Sequence, residues 1–210
     1  EVFKAKEDGV FNRLAEYDVG SFEVSNMGLG TLFQDNLSLY QTFKDTRKEV
    51  SQAIGEPGTS HSESWGPDYT FGYGPNSYEV ALPAFLAVDM GQDFNQVAKL
   101  SFLPKPNWTV KYDGLSKLSM FKDIFTSFTL NHSYKGSMRV NQFNTTLEYQ
   151  EGQLERSPIN DNYYSEIQIP NLVLSDQFSP LIGVSLKTKN VITFDAERRK
   201  SRQLGLALEE

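Results

Sequence analysis

Phe128-Thr129-Leu130-Asn131-His132-Ser133-Tyr134-Lys135-Gly136-Ser137-Met138-Arg139-Val140 is the stretch that decides the fold. Its odd positions are all polar: Thr129, Asn131, Ser133, Lys135, Ser137 and Arg139. Its even positions, Phe128 to Val140, are apolar apart from His132 and Gly136. Successive side chains on a β-strand point to opposite faces, so this is one strand with a polar side and an apolar side. An ordinary strand has about 5–6 residues, whereas one crossing a bilayer obliquely needs about 9–11. At ~3.3 Å per residue the stretch reaches roughly 43 Å, enough to cross at a tilt of ~40°. Two architectures fit this alternation: a membrane β-barrel, favoured by the length, and a soluble sandwich with the apolar face inward, favoured by the helices and loops nearby.

The flanking sequence continues in the same period. Phe143, Thr145, Leu147 and Tyr149 alternate again, and the change of parity around Gln142 predicts a turn or bulge. A polar loop over 151–161 carries Pro158 and Asn160. Ile167 and Ile169 precede Pro170; Ile182, Val184 and Leu186 follow, then Ile192, Phe194 and Ala196, then Leu204, Leu206 and Leu208, each set alternating with polar or small residues. Thr188-Lys189-Asn190 and Arg199-Lys200-Ser201 are short enough for tight hairpin turns, which predicts an antiparallel up-and-down meander.

Upstream of the long strand the period changes. Leu115, Leu118, Phe121 and Phe125 are spaced like a short amphipathic helix, and Trp108, Val110 and Tyr112 share one face of a short strand. Tyr78 to Met90 is apolar and predicted helical from Pro83, in a first-turn position, to Met90, with Gly91 as the stop. Leu39, Phe43, Val50 and Ile54 predict a surface helix of roughly four turns ended by Gly55. Residues 55–77 read as a loop, packed rather than loose because it holds Trp65, Tyr69, Phe71 and Tyr73. In the weakly alternating residues 1–36, Val19 to Val24 is a short strand and Asn26 to Gly30 a bend. The expected division is a loop-rich segment over 1–102, with one or two short helices and weak strands, and a barrel-strand segment over 103–210.

A net charge of −7 and a pI of about 5.0 argue against a nucleic-acid surface. No apolar run approaches the ~18 residues that a spanning helix requires, so membrane insertion would be through strands. A mean hydropathy of −0.45 is compatible with a barrel, whose lumen and loops are polar. Cysteine is absent, which removes disulfides and thiolate chemistry. The two histidines, His61 and His132, have no metal-ligand spacing, and a triad built from His61 with Ser60, Ser62 and Glu63 would need sequence neighbours on one loop to supply the geometry. Gly72, Gly74 and Pro75 lack the Lys-Ser/Thr of a phosphate loop. No cofactor, metal or enzymatic activity is therefore expected. The chain also reads as a piece of a longer one, since it starts without Met and stops just after an apolar alternation.

Several ordered stretches resemble the SprA/Sov family, the giant outer-membrane translocon of the type 9 secretion system. They are Leu103-Pro104-Lys105-Pro106-Asn107-Trp108, Tyr112-Asp113-Gly114-Leu115-Ser116-Lys117-Leu118, Phe125 to Tyr134, and Gln177-Phe178-Ser179-Pro180-Leu181-Ile182-Gly183-Val184. Lys187-Thr188-Lys189-Asn190 and Lys200-Ser201-Arg202 follow in order, and Leu82 to Ala87, Gly91-Gln92-Asp93 and the Tyr40–Ile54 helix fit upstream. The similarity covers about residues 35–208 and departs at Val191 to Ala196, where a strand richer in aromatics is expected.

The resemblance implies a mainly β segment from the C-terminal part of a very large barrel in the cell outer membrane. That barrel passes folded secreted client proteins, gliding adhesins among them. Accessory partners would be an outer-membrane barrel protein and a periplasmic plug, with outer-membrane lipid around the wall. Phe128, Leu130, Tyr134, Met138, Val140, Ile182, Val184, Leu186, Ile192, Phe194, Leu204, Leu206 and Leu208 would face lipid. Asn131, Ser133, Lys135, Arg139, Lys187, Asp195 and Glu197 would face the lumen. Trp108, Tyr112, Tyr134, Tyr149, Tyr163 and Tyr164 are candidates for an interfacial aromatic belt or for ordinary cross-strand packing. The alternative from another class is a soluble cell-surface binding domain that recognises glycan or protein through the aromatic loop at 65–73.

Overall fold

The computed structural model describes residues 2–5, 11–15, 19–55, 61–62, 64–95, 97, 105–146, 148–149 and 154–208. In chain order the strands are β1 (Val2–Ala5), β2 (Phe11–Ala15), β3 (Val19–Ser25), β4 (His61–Ser62), β5 (Gly66–Thr70), β6 (Trp108–Tyr112), β7 (Phe125–Thr145), β8 (Ile167–Thr188) and β9 (Thr193–Ala207). Two helices, α1 (Asn36–Ile54) and α2 (Tyr78–Met90), fall between β3 and β6. The fold is mainly β. β7, β8 and β9 form an antiparallel meander, and β3 and β6 lie end to end along the free side of β7. β1–β2 and β4–β5 are separate hairpins.

The strands are longer than the alternation suggested. β7 runs for 21 residues because the parity change at Gln142 is a bulge: Gln142 still pairs with Asn171 and the register shifts on either side of it. The expected strands at Ile167–Ile169 and Ile182–Leu186 are the two ends of one 22-residue strand, β8. Its Pro180 sits in an irregularity: Tyr134 pairs with Phe178 and Asn131 with Gly183, so β8 spends two more residues than β7 there. A bulge is where a central strand tolerates a residue with no N–H. Likewise no turn forms at Arg199-Lys200-Ser201; Lys200 pairs with Phe178 and Ser201 with Gln177 inside β9. Consecutive charges read as turn composition, but they equally suit an edge strand, which β9 is.

The β8–β9 turn forms where expected. The Thr188 amide donates to the Ile192 carbonyl (2.9 Å) and the Val191 amide to the Thr188 carbonyl (3.1 Å). Val191 adopts φ 66°, a left-handed conformation that is costly for a β-branched residue and that this kind of turn normally gives to Gly or Asn. Val191→Gly should therefore raise the midpoint of urea unfolding, by a stability gain of about 1 kcal/mol.

Asp35 caps α1 by accepting from the amides of Leu37 and Ser38 (2.9 and 3.0 Å), so the helix begins three residues before Leu39, the first of the positions that predicted it. α2 begins at Tyr78, which places Pro83 inside the helix rather than in its first turn. The helix over Pro83–Met90 forms as expected, and only the first-turn placement of Pro83 fails: its missing N–H would have bonded the carbonyl of Glu79, in the first turn. Gly91 ends α2 in the left-handed conformation, φ 62°. The predicted helix over Leu115–Phe125 is instead a 3₁₀ turn at Gly114–Lys117 followed by further turns. Phe125 already belongs to β7, where it joins Phe121 and Phe128 in a ring cluster with centroids 5.4–5.9 Å apart. The expected 55–77 loop contains strand β5, which carries Tyr69, but its aromatics are packed as expected: Tyr69 is buried, the Trp65 indole donates to the Asn160 carbonyl (3.0 Å), and Tyr163 meets Phe71 and Tyr73 edge-on.

The main core is the seam between α2 and the sheet. Ala81, Phe85, Leu86 and Met90 pack on Met138, Val140, Leu172, Leu174, Leu206 and Leu208. The other side of α2 meets α1 through Val80, Ala84 and Val50. Residues from both sides of position 102 thus share one core. No helix among the described residues is long and apolar enough to cross a membrane.

Candidate functional site

Strand register fixes which side chains share a face. Phe128 stands beside Leu186 and Phe194; Leu130 stands beside Val184, Ala196 and Tyr112. Val110 pairs with His132, and Ile182 lies on the same face. These residues form an apolar band, with Phe121 packed on Phe128 and Arg198 beside Ile182, and much of it stands open: Ile182 is 60% exposed, Phe194 56%, Val110 53% and Tyr112 50%. The band occupies the half of the sheet that ends at the β8–β9 turn.

On the opposite face, Ser127, Lys187 and Thr193 form one row, Thr129, Ser185 and Asp195 the next, and Asn131, Gly183 and Glu197 a third. Ser133 and Thr109 share a hydrogen bond of 2.8 Å. A shallow depression of mixed lining lies here, with Asn131, Ser133, Asp195 and Glu197 beside Pro180 and Ala196. Glu197 pairs with Arg199 and Arg139 with Glu23 (2.6 Å), both exposed. All seven residues expected at a lumen, Lys135 and Arg139 included, therefore lie on one polar face.

The expected lipid-facing set divides. Phe128, Leu130, Ile182, Val184, Leu186 and Phe194 belong to the bare band. Tyr134, Met138, Val140, Leu206 and Leu208 do not: each is buried under this chain's own residues, and Leu204 is half-buried against the same core. Ile192 lies in the β8–β9 turn, outside any strand, rather than on a strand face. The physical reason is simple. Alternation reports that a face is apolar and is silent on whether lipid or a helix covers it.

A polar cluster lies across the covered half. Tyr134 stacks on Trp108 (ring centroids 4.6 Å apart) and packs on Phe178 (5.0 Å), all roofed by Leu32, Met27 and Leu29. In the next row the Arg202 Nη2 lies 2.6 Å from Asp89 Oδ1 and 2.8 Å from Asp176 Oδ2. The three side chains are 7%, 0% and 2% exposed, so these ion pairs are desolvated. Arg202 also donates to Thr31 Oγ1 (2.7 Å) and the Gly28 carbonyl (3.2 Å). Asp176 accepts from the Tyr134 hydroxyl (2.6 Å) and the Gly28 amide (3.0 Å), and Asp89 accepts from Asn26 (3.0 Å). One guanidinium thus clamps β9, β8, α2 and the 26–31 bend together.

Gly28 and Gly136 permit the approach. A Cβ on Gly28 would lie 2.6 Å from Asp89 and 2.8 Å from Asp176, and one on Gly136 would collide with the Asn26 carbonyl. The clamp was missed from sequence, although a signal existed: Asp176 and Arg202 fall in the apolar parity of their strands, and Asp89 interrupts the apolar run of α2.

Two carboxylates facing one guanidinium leave a buried excess of negative charge. Burial, and next the Asp176 carboxylate, push Asp89 up from 3.8 to about 7, against the opposing pull of Arg202 and Asn26. A carboxyl whose folded value is raised stabilises the fold when protonated, and this contribution is lost as pH rises towards about 7. The melting temperature should therefore fall between about pH 4 and pH 7, and Asp89→Asn should flatten that dependence. An unchanged slope in Asp89→Asn would place the titrating group elsewhere.

No group of three or more His, Asp or Glu side chains suited to a metal exists among the described residues. The His132 Nδ1 lies 2.7 Å from the Leu181 carbonyl, a packing role. The His61 side chain, Leu103-Pro104 and Leu147 lie outside the described residues. No family model matches the chain, and no curated protein matches it either.

Proposed function

We propose that this chain is a wall segment of a large outer-membrane β-barrel that conducts folded proteins, of the kind its sequence resembles, the SprA/Sov translocon of the type 9 secretion system. The observation that carries the reading is the bare apolar band. The stretch from Phe125 to Tyr134 is ten residues long, within the 9–11 that a bilayer crossing takes, and it ends at the stacked Trp108 and Tyr134. The far halves of β7 and β8 then stand beyond the bilayer, with their apolar face covered by α1, α2 and the 26–34 bend in place of lipid. The polar face lines the water-filled lumen, where Asp195, Glu197, Lys135 and Lys187 remain solvated.

Barrels of this class carry short turns on the periplasmic side and long connections outside. The bare end holds the Lys189–Ile192 turn and the 113–124 connection, whereas the longer β7–β8 connection and the helices lie at the other end, the end this reading assigns to the cell exterior. A soluble binding domain using Trp65, Phe71 and Arg156 is the second reading. Its one specific support is the open depression those three line, with the Arg156 guanidinium 4.0 Å from the Phe71 ring. The test is partitioning of the protein in cells: it should stay with outer membranes through an alkaline carbonate wash and leave only in detergent. Release by carbonate as a soluble species would overturn the barrel.

A further inference from the structure

The sheet stops at β9, but the layer covering it does not. Among the described residues, the outer backbone edge of β9 has no partner strand. On the covered face, burial declines towards that edge: Leu172 and Leu174 of β8 are 2% and 1% exposed, Leu206 of β9 is 9%, and Leu204 is only half-buried. Beside these two leucines an apolar groove of about 230 Å³ opens between β9 and the helices, lined by Leu39, Tyr40, Phe43 and Phe85. Phe33, Leu37 and Tyr40, at and just before the start of α1, are 63%, 70% and 54% exposed.

We infer that this overhang seats a further β-strand, one that pairs with β9 through its backbone and lays alternate apolar side chains onto Tyr40, Leu37 and the groove. Three observations converge on that occupant. An unpaired strand edge offers N–H and C=O groups only another strand can satisfy in series. The groove continues the α2–sheet core without a break, so the side chains entering it come from the same face as Leu204 and Leu206. A strand's period of two then brings an apolar residue over the groove at every second position.

The inference rests on the barrel reading, and its occupant is the adjoining strand of the same wall. The helical unit then acts as a splint, spanning at least β7, β8, β9 and the next strand and holding a seam of the wall above the bilayer.

The test uses the protein in native outer membranes, with Tyr40→Cys, Leu37→Cys and, on the exposed far part of α1, Glu49→Cys, each labelled by a maleimide. The cysteine-free background of these 210 residues keeps the readout clean. Tyr40→Cys and Leu37→Cys should react at least about tenfold more slowly than Glu49→Cys and equally after denaturation. A photoactivatable benzoylphenylalanine at position 40 should cross-link to an alternating segment of the same polypeptide. Equal labelling rates in the native membrane, or cross-linking to a different protein, would overturn the inference. If the protein still needs detergent to leave the membrane in that case, the barrel reading survives and only the seat is lost.

Discussion

Arg202→Met should destabilise the protein by about 3–5 kcal/mol, the cost of leaving an unpaired buried charge. The guanidinium is the only cation facing the buried Asp89 and Asp176 among the described residues, and it also satisfies Thr31 and the Gly28 carbonyl. Without it two carboxylates confront each other in a dry seam, and the 26–31 bend loses its tie to β9. Local opening should precede global unfolding, so backbone amides of Met27 to Phe33 should lose hydrogen-exchange protection first. A cycle with Asp89→Asn isolates the ion pair: Arg202→Met should cost at least about 1 kcal/mol less in that background, because one of the stranded charges is already gone. An Arg202→Met protein as stable as the parent would mean the cluster is not a clamp.

In the proposed barrel, Leu130→Arg should cost about 2–4 kcal/mol and reduce the amount reaching the outer membrane, while Asn131→Arg should be nearly neutral. The two residues are neighbours, both half-buried, and differ in the face they occupy. Leu130 lies in the row with Val184 and Ala196, Asn131 in the row with Gly183 and Glu197. An arginine at mid-bilayer has no hydration to fall back on, whereas one beside Glu197 stays in water. Heat-modifiable migration of the folded barrel on gels, with quantification in membranes, reads both variants. Equal tolerance would remove the distinction between the faces on which the barrel rests.

These contrasts mark what the sequence disclosed. Period-two alternation identified the meander, the correct parity of β7, β8 and β9, and a break at Gln142 that could be a turn or a bulge, because each follows from local side-chain direction. It misjudged strand ends. Pro170, Pro180 and the Arg199–Ser201 charges are punctuation in composition, yet β8 absorbs its second proline in a bulge and β9 carries its charges on an edge. The resemblance put Met138, Val140 and Leu206 against lipid, and alternation could not correct it, since contacts made over long sequence separations, here with Phe85 and Met90 of α2, leave no trace in a strand's own period. The clamp was readable only as three misplaced charges, Asp89, Asp176 and Arg202, whose meeting depends on the tertiary fold.

The central claim is that the face carrying Leu130, Val184 and Phe194 meets lipid while the face carrying Asn131, Ser185 and Asp195 meets water. Nitroxide labels at these six positions, one at a time in the membrane-inserted protein, test it by their collision rates with molecular oxygen and with a water-soluble nickel complex. High oxygen and low nickel accessibility are expected at 130, 184 and 194, and the reverse at 131, 185 and 195. High nickel accessibility at 130, 184 and 194 would contradict it.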